Sequence, residues 1–137
     1  MKRFTTSWMR VMLLTLVSLF AFQEAGAATV TYDGINYTTG KKVSTNVTVA
    51  RYPSKKPYKG DVVIPESFEV KGVTYTVVGT GANAFVDCTE LTSVKLPATC
   101  VTIGRQCFKG CTALTSDPTP ATATTINQGY LQDCSSI

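Results

Sequence analysis

Residues of matching chemistry recur every 23 positions through the second half of this chain, and a period of that length restricts the fold more than any other feature. Phe85 and Phe108 are 23 apart, as are Leu91 and Leu114, Ser93 and Ser116, Pro97 and Pro120, Gly81 and Gly104, and Thr102 and Thr125. The same step carries Ile103 to Ile126, Phe108 to Leu131, Cys111 to Cys134 and Leu114 to Ile137, so Cys88, Cys111 and Cys134 share one register. Within the unit, Val94 and Leu96 alternate with polar Ser93 and Lys95 as in a short half-buried strand, and Pro97 stops it. Val101 and Ile103 make a second alternating piece, and Gly104 and Gly110 bracket a segment too short for more than about one or two helical turns. A unit this small cannot bury its apolar side alone, whereas stacked copies give a continuous core and a parallel sheet along the stack.

The pattern I-G-x-x-x-F-x-x-C-x-x-L-x-x-V-x-L-P, read over Val78 to Ile137, resembles the BspA-like, or treponemal-type, bacterial leucine-rich repeat. The resemblance implies a curved leucine-rich-repeat solenoid in which each repeat adds a short strand and an irregular return segment. It implies that Phe85, Cys88, Leu91, Val94, Leu96, Val101, Ile103, Phe108, Cys111 and Leu114 point inward, and the shared register adds Ile126, Leu131 and Cys134 to that repeat core. The copy after Leu114 departs from the pattern: Asp117, Pro118 and Thr119 stand where Val94, Lys95 and Leu96 stand earlier. An inward Asp and a Pro within the strand both oppose regular pairing. Two repeats are complete and a third is begun, since the sequence reaches Ile137, the Leu-equivalent position, before another strand. Uncovered Leu131, Cys134 and Ile137 then predict self-association through that end.

The segment Met1 to Ala27 reads as an address. Lys2, Arg3 and Arg10 form a positive segment, Val11 to Phe22 is a largely apolar, uncharged run, and Ala25-Gly26-Ala27 is a small-x-small cleavage site. This is the layout of a secretory signal peptide, and the apolar run falls short of the roughly 20 residues of a membrane span. Removal leaves Ala28 to Ile137, with no stable membrane span and a location that is secreted or at the cell surface. It also takes three basic residues and Glu24, leaving a net charge of +2, which is no electrostatic footprint for nucleic acid.

Residues 28–78 read as a β cap with a first irregular coil, and residues 79–137 as the repeats. Val30 to Tyr37 alternates on both sides of Asp33-Gly34, a two-residue hairpin signal, and Phe68 to Tyr75 has the same layout around Lys71-Gly72. Pairing places Val30 opposite Tyr37, Tyr32 opposite Ile35, Phe68 opposite Tyr75 and Val70 opposite Val73. Val43 to Val49 reads as a strand. Val62-Val63-Ile64-Pro65 resembles Val94-Lys95-Leu96-Pro97 at a distance of 32, so an inserted hairpin accounts for the excess over 23.

The sequence holds no histidine, which excludes Ser-His-Asp and Cys-His nucleophile pairs, a His general base and any His-containing zinc site. Five cysteines in an exported chain permit disulfides, but the shared register of Cys88, Cys111 and Cys134 favours a ladder of small buried residues. Cys107 takes the place of Ala84 and reads as filler too, Cys100 lies off the ladder, and no Cys-x-x-Cys occurs. A zinc site or a thiol-active enzyme is therefore disfavoured, and no cofactor is implied. Two surfaces are candidates for binding. One is the basic, aromatic loop with Tyr52, Lys55, Lys56, Tyr58 and Lys59, suited to an acidic glycan or anionic patch, though a solvated connector is the plainer reading. The other is the set of outward strand positions Ser93, Lys95 and Ser116, weighed against ordinary solvated strand surface. The resemblance implies a secreted or surface-displayed, non-enzymatic module that recognises protein or glycan in adhesion. The alternative is a structural N-terminal capping fragment or spacer of a larger surface protein with no ligand of its own.

Overall fold

The computed structural model describes residues 27–40, 44–53 and 55–137; the signal-peptide reading falls, except for Ala27, outside the described residues. Nine strands lie among them: β1 (Thr29–Tyr32), β2 (Ile35–Thr39), β3 (Asn46–Val49), β4 (Gly60–Val63), β5 (Ser67–Val70), β6 (Val73–Thr80), β7 (Leu91–Lys95), β8 (Thr102–Ile103) and β9 (Thr125–Ile126). Asp33 and Gly34 take φ of 47° and 75°, and Lys71 and Gly72 take 51° and 78°. Two consecutive positive φ values make the tight turn whose twist matches the flanking strands. The turn sets the register: Val30 pairs Tyr37 and Tyr32 pairs Ile35 in the first hairpin, Phe68 pairs Tyr75 and Val70 pairs Val73 in the second.

The strands form two sheets. The larger runs β1-β2-β3-β6-β8-β9, with β5 also on β6, and from β3 onward its neighbours along this path are parallel. The smaller is the parallel pair β4-β7. The chain therefore winds from β3 to β4, detours through the β5-β6 hairpin, and winds again from β6 to β7, laying each coil beside the last. Gly79 pairs Thr102, Thr102 pairs Thr125, and Ile103 pairs Ile126, each partner one repeat further along the chain. Asp61 pairs Ser93 and Val62 pairs Val94 across the longer interval that contains the hairpin, whose second strand β6 belongs to the larger sheet.

Between the sheets the coils stack through turns. The N–H groups of Asn83, Phe85 and Asp87 donate to the carbonyls of Arg105, Cys107 and Lys109 at 2.7–2.9 Å. Those of Gln106, Phe108 and Gly110 donate to Gln128, Tyr130 and Gln132 at 2.8–3.1 Å. Asn83, Gln106 and Gly129 share positive φ, as do Asp87, Gly110 and Asp133, so left-handed residues also recur every 23 positions. These residues break any helix, and the segment bracketed by Gly104 and Gly110 is a succession of turns. Close approach is enforced at Gly104, where a Cβ would run into the Gly81 carbonyl and come within 2.7 Å of the Ala82 nitrogen.

Inside the stack, Phe85, Cys88, Leu91, Ile103, Cys107, Phe108, Cys111 and Leu114 are fully buried, with Val94 and Leu96 at 8 % exposure. The Phe85 and Phe108 rings stack at 5.0 Å. A second aromatic cluster joins the hairpins, where Phe68 lies 4.8 Å from Tyr32, 4.5 Å from Tyr37 and 5.6 Å from Tyr75. Some expected core positions differ. Val101 is exposed because Cys100, one position earlier, takes the interior at that corner. Ile126 is 47 % exposed and Leu131 and Cys134 are half-buried, because their coil is covered on one side only among the described residues. After Leu114, where Asp117 and Pro118 depart from the repeat pattern, no strand forms: Asp117 is exposed and its carboxylate accepts from the Thr119 amide and hydroxyl and from Tyr130.

Candidate functional site

Two places on this frame present polar chemistry to the outside. The first is the outer face of β4 and β7. Side chains on paired strands alternate, so with Val62 and Val94 turned inward, Asp61, Val63, Ser93 and Lys95 share the outer face. Between Gly60–Leu91 and Asp61–Ser93 the register shifts by one, making Thr92 the extra residue of a bulge. The bulge aims two hydroxyls at one carboxylate: Thr92 Oγ1 and Ser93 Oγ donate to Asp61 Oδ1 at 2.8 and 2.7 Å. Ser93 first, then Thr92, holds the Asp61 carboxyl below its ordinary range. Beside this cluster Lys95 is exposed and Val63 is 65 % exposed. Ser116, expected on an outward strand position, is exposed but lies on no strand. Asp61 and Val63 escaped the sequence reading, although the offset between the pieces ending in Pro65 and Pro97 places them opposite Ser93 and Lys95.

The second place is the loop between β3 and β4. Arg51, Tyr52, Lys55 and Pro57 line a cavity of about 410 Å³, and the Arg51 guanidinium carbon lies 5.3 Å from the centre of the Tyr52 ring. Lys56 and Lys59 are exposed nearby. Tyr58, expected on this binding surface, is buried instead. Its hydroxyl accepts from Asn36 N–H at 3.0 Å and donates to the Ala50 carbonyl at 3.1 Å, and its ring lies 5.3 Å from Phe85. Tyr58 thus extends the Phe85–Phe108 column by one coil and ties it to β2 and to the end of β3. The spacing from Tyr58 to Phe85 is 27 rather than 23, which hid the equivalence. Arg51 sits just outside the loop as delimited from sequence; its charge was the available signal.

The cysteines are free thiols. Cys111 Sγ donates to Phe85 O and Cys134 Sγ to Phe108 O, both at 3.0 Å, so each thiol satisfies a carbonyl one coil back. Burial pushes the Cys111 and Cys107 thiols up to about 12 and those of Cys88 and Cys100 up to about 11. Groups held protonated in this way are poor nucleophiles and poor metal ligands. Among the described residues no three Cys, Asp or Glu side chains are grouped to hold a metal ion.

Residues 72–137 match the family described as BspA type leucine rich repeat region, in six copies. The fold is similar to that of a leucine rich repeat protein of Treponema pallidum, at 25 % identity and a TM-score of 0.63 over 80 % of this chain and 48 % of that one. It is also similar to a leucine-rich repeat protein of Bacteroides ovatus, at 25 % identity and a TM-score of 0.57, covering 76 % of this chain and 33 % of the other. A leucine rich cell surface protein of Faecalibacterium prausnitzii shares the fold at 23 % identity and a TM-score of 0.64, covering 80 % of this chain and 29 % of that one. This chain therefore spans less than half the length of each of these three. No curated protein matches it.

Proposed function

We propose, for a chain whose residues 72–137 are a BspA-type leucine rich repeat region, that it serves as a recognition module displayed outside the cell, binding protein or glycan through its outward side chains. The observation that carries this reading is the outer face of β4-β7. There a hydroxyl-buffered carboxylate (Asp61 with Thr92 and Ser93), a lysine and a 65 % exposed valine stand together on a rigid hydrogen-bonded frame. Such a mixed patch suits complementary contact, because apolar area and fixed charges lie side by side. The buried, proton-retaining thiols support binding over catalysis. The 23-residue repeat, the cap formed by the two hairpins and export through residues 1–27 complete this reading, and the name of the Faecalibacterium relative, a cell surface protein, agrees with the location.

The test is to immobilise the chain and present it with arrays of extracellular proteins and of glycans. Binding is expected that falls at least tenfold in the double variant Val63→Asp, Lys95→Glu while the melting temperature holds. An unaltered binding profile in that variant would remove the outer face from the mechanism. No binding at all would favour a purely structural spacer.

A further inference from the structure

We infer that the cavity bounded by Arg51, Tyr52, Lys55 and Pro57 is a receptor site for an acidic sugar, a pyranose carrying a carboxylate, within a glycan. This rests on the recognition reading and adds where and what the chain binds. A carboxylated pyranose has two recognition faces. Its anion calls for cationic donors, and its ring presents C–H groups that lie against an aromatic or proline face. Both are supplied by one cavity of about 410 Å³, within the roughly 300–1,000 Å³ typical of small-ligand sites. The exposed Arg51 lies with its guanidinium carbon 5.3 Å from the Tyr52 ring centre, and a guanidinium is the group suited to bidentate carboxylate recognition.

Described residues on both sides of the cavity are tied down by contacts of their own. Tyr58, close after Lys56 in the chain, is buried and hydrogen-bonded to Asn36 and Ala50, and its ring meets Tyr52 edge-on at 5.9 Å. Lys56 N–H closes a turn on the Pro53 carbonyl at 3.0 Å. Within that turn Lys55 adopts φ of 71°, a conformation that favours glycine and that side-chain-bearing residues seldom take. Left-handed residues recur in the turns of this chain, and here the turn leaves the Lys55 side chain on the wall of the cavity. From Arg51 to Gly60 the sequence has four basic residues and no acidic one, so Lys56 and Lys59 reinforce the attraction for an anion.

The experiment is calorimetric titration of the full chain with oligogalacturonate, with a neutral oligogalactan of equal length, and with poly-glutamate of equal charge. Saturable binding of the uronate is expected, with the neutral glycan weaker by about tenfold or more, the effect of one lost charge-assisted contact, and poly-glutamate weaker by a similar factor because it brings no ring to lie on Tyr52 and Pro57. Arg51→Gln and Tyr52→Leu should each weaken uronate binding by a similar factor. Lys55→Gly should weaken it while raising the melting temperature, because it relieves the turn as it deletes the charge. Poly-glutamate binding as tightly as the uronate would reduce the site to a generic anion patch and overturn the inference, as would neutral sugar binding equally well. If no uronate binds but a partner is still lost on Val63→Asp, the sugar site is refuted and recognition through β4-β7 stands.

Discussion

The coil around Phe108 and the coil around Leu131 share one register and differ in burial. Ile103, Phe108, Cys111 and Leu114 are fully buried; their equivalents Ile126 and Ile137 are 47 % and 52 % exposed, and Leu131 and Cys134 are half-buried. Backbone ladders and thiol–carbonyl bonds reach both coils from the preceding side. The repeat pattern thus specifies a residue's place within a coil, while burial is conferred by the neighbour that follows. A substitution at one register position should therefore cost a different amount in each coil.

The widest effect on that contrast is alkaline. Cys88, Cys100, Cys107 and Cys111 are raised by burial from 9.0 to about 11–12 in the fold. Above pH 9 an unfolded chain sheds these protons and the folded chain keeps them, so folding binds more protons and stability falls with pH. Stability should be intact below about pH 9 and lost as pH rises toward 11–12, which urea titrations at stepped pH will read. A melting midpoint flat from pH 8 to 11 would contradict it. Next comes truncation: Phe108→Ala should cost about 3–5 kcal/mol, against roughly 1 kcal/mol for Leu131→Ala. Chemical denaturation of the two variants makes the comparison directly, and equal losses would show that the last coil is packed as tightly as the one before it.

Third is the close approach at Gly104. Gly104→Ala should destabilise by about 1–3 kcal/mol or more, since the obstacle is the Gly81–Ala82 backbone and cannot turn away. The register-equivalent Asn127→Ala loses only the hydrogen bond that Asn127 Nδ2 donates to the Ile103 carbonyl, worth about 1 kcal/mol. A wild-type melting temperature for Gly104→Ala would mean that the coils can separate there. The smallest contrast lies along the thiols: Cys111→Ser should cost about 1–3 kcal/mol, and Cys134→Ser less, because Cys134 is half-buried. Under native conditions iodoacetamide should label Cys134 well before Cys111, and peptide mapping that finds Cys111 labelled first would reverse the assignment.

Much of the frame is legible from residues alone, because each signal is local or strictly periodic. Asp33-Gly34 and the alternation around it specify the hairpin pairs, and the repeat step aligns Phe85 with Phe108. What escaped depends on contacts with no fixed spacing. Tyr58 sits among lysines and prolines, and only its hydrogen bonds to Asn36 and Ala50 show that it belongs to the aromatic column. Val101 alternates with Ile103 yet faces out, because Cys100 fills the corner. The Asp61 cluster needs a bulge that no pattern of apolar residues announces. The left-handed register at Asn83, Gln106 and Gly129 lay within reach, but Gln106 disguised it, since glutamine is not a residue that suggests positive φ.

The thiol–carbonyl bonds also bear on how such a chain can lengthen. In the turns each unit's N–H groups donate to the unit that follows, while the N–H groups of Val101, Thr124 and Asn127 and the thiols of Cys111 and Cys134 donate to carbonyls of the unit before. Duplicating a whole unit copies both halves of every joint, so a tandem duplication of one repeat creates a new junction already matched to its neighbours. A deletion or insertion of any other length within the turns would set thiol against the wrong carbonyl and Gly104 against a side chain. The tolerated exception is the β5-β6 hairpin, in which β5 folds back on β6 while β6 itself runs on as the rung between β3 and β8. Change in chain length is therefore channelled into two forms, whole coils or self-closing hairpins.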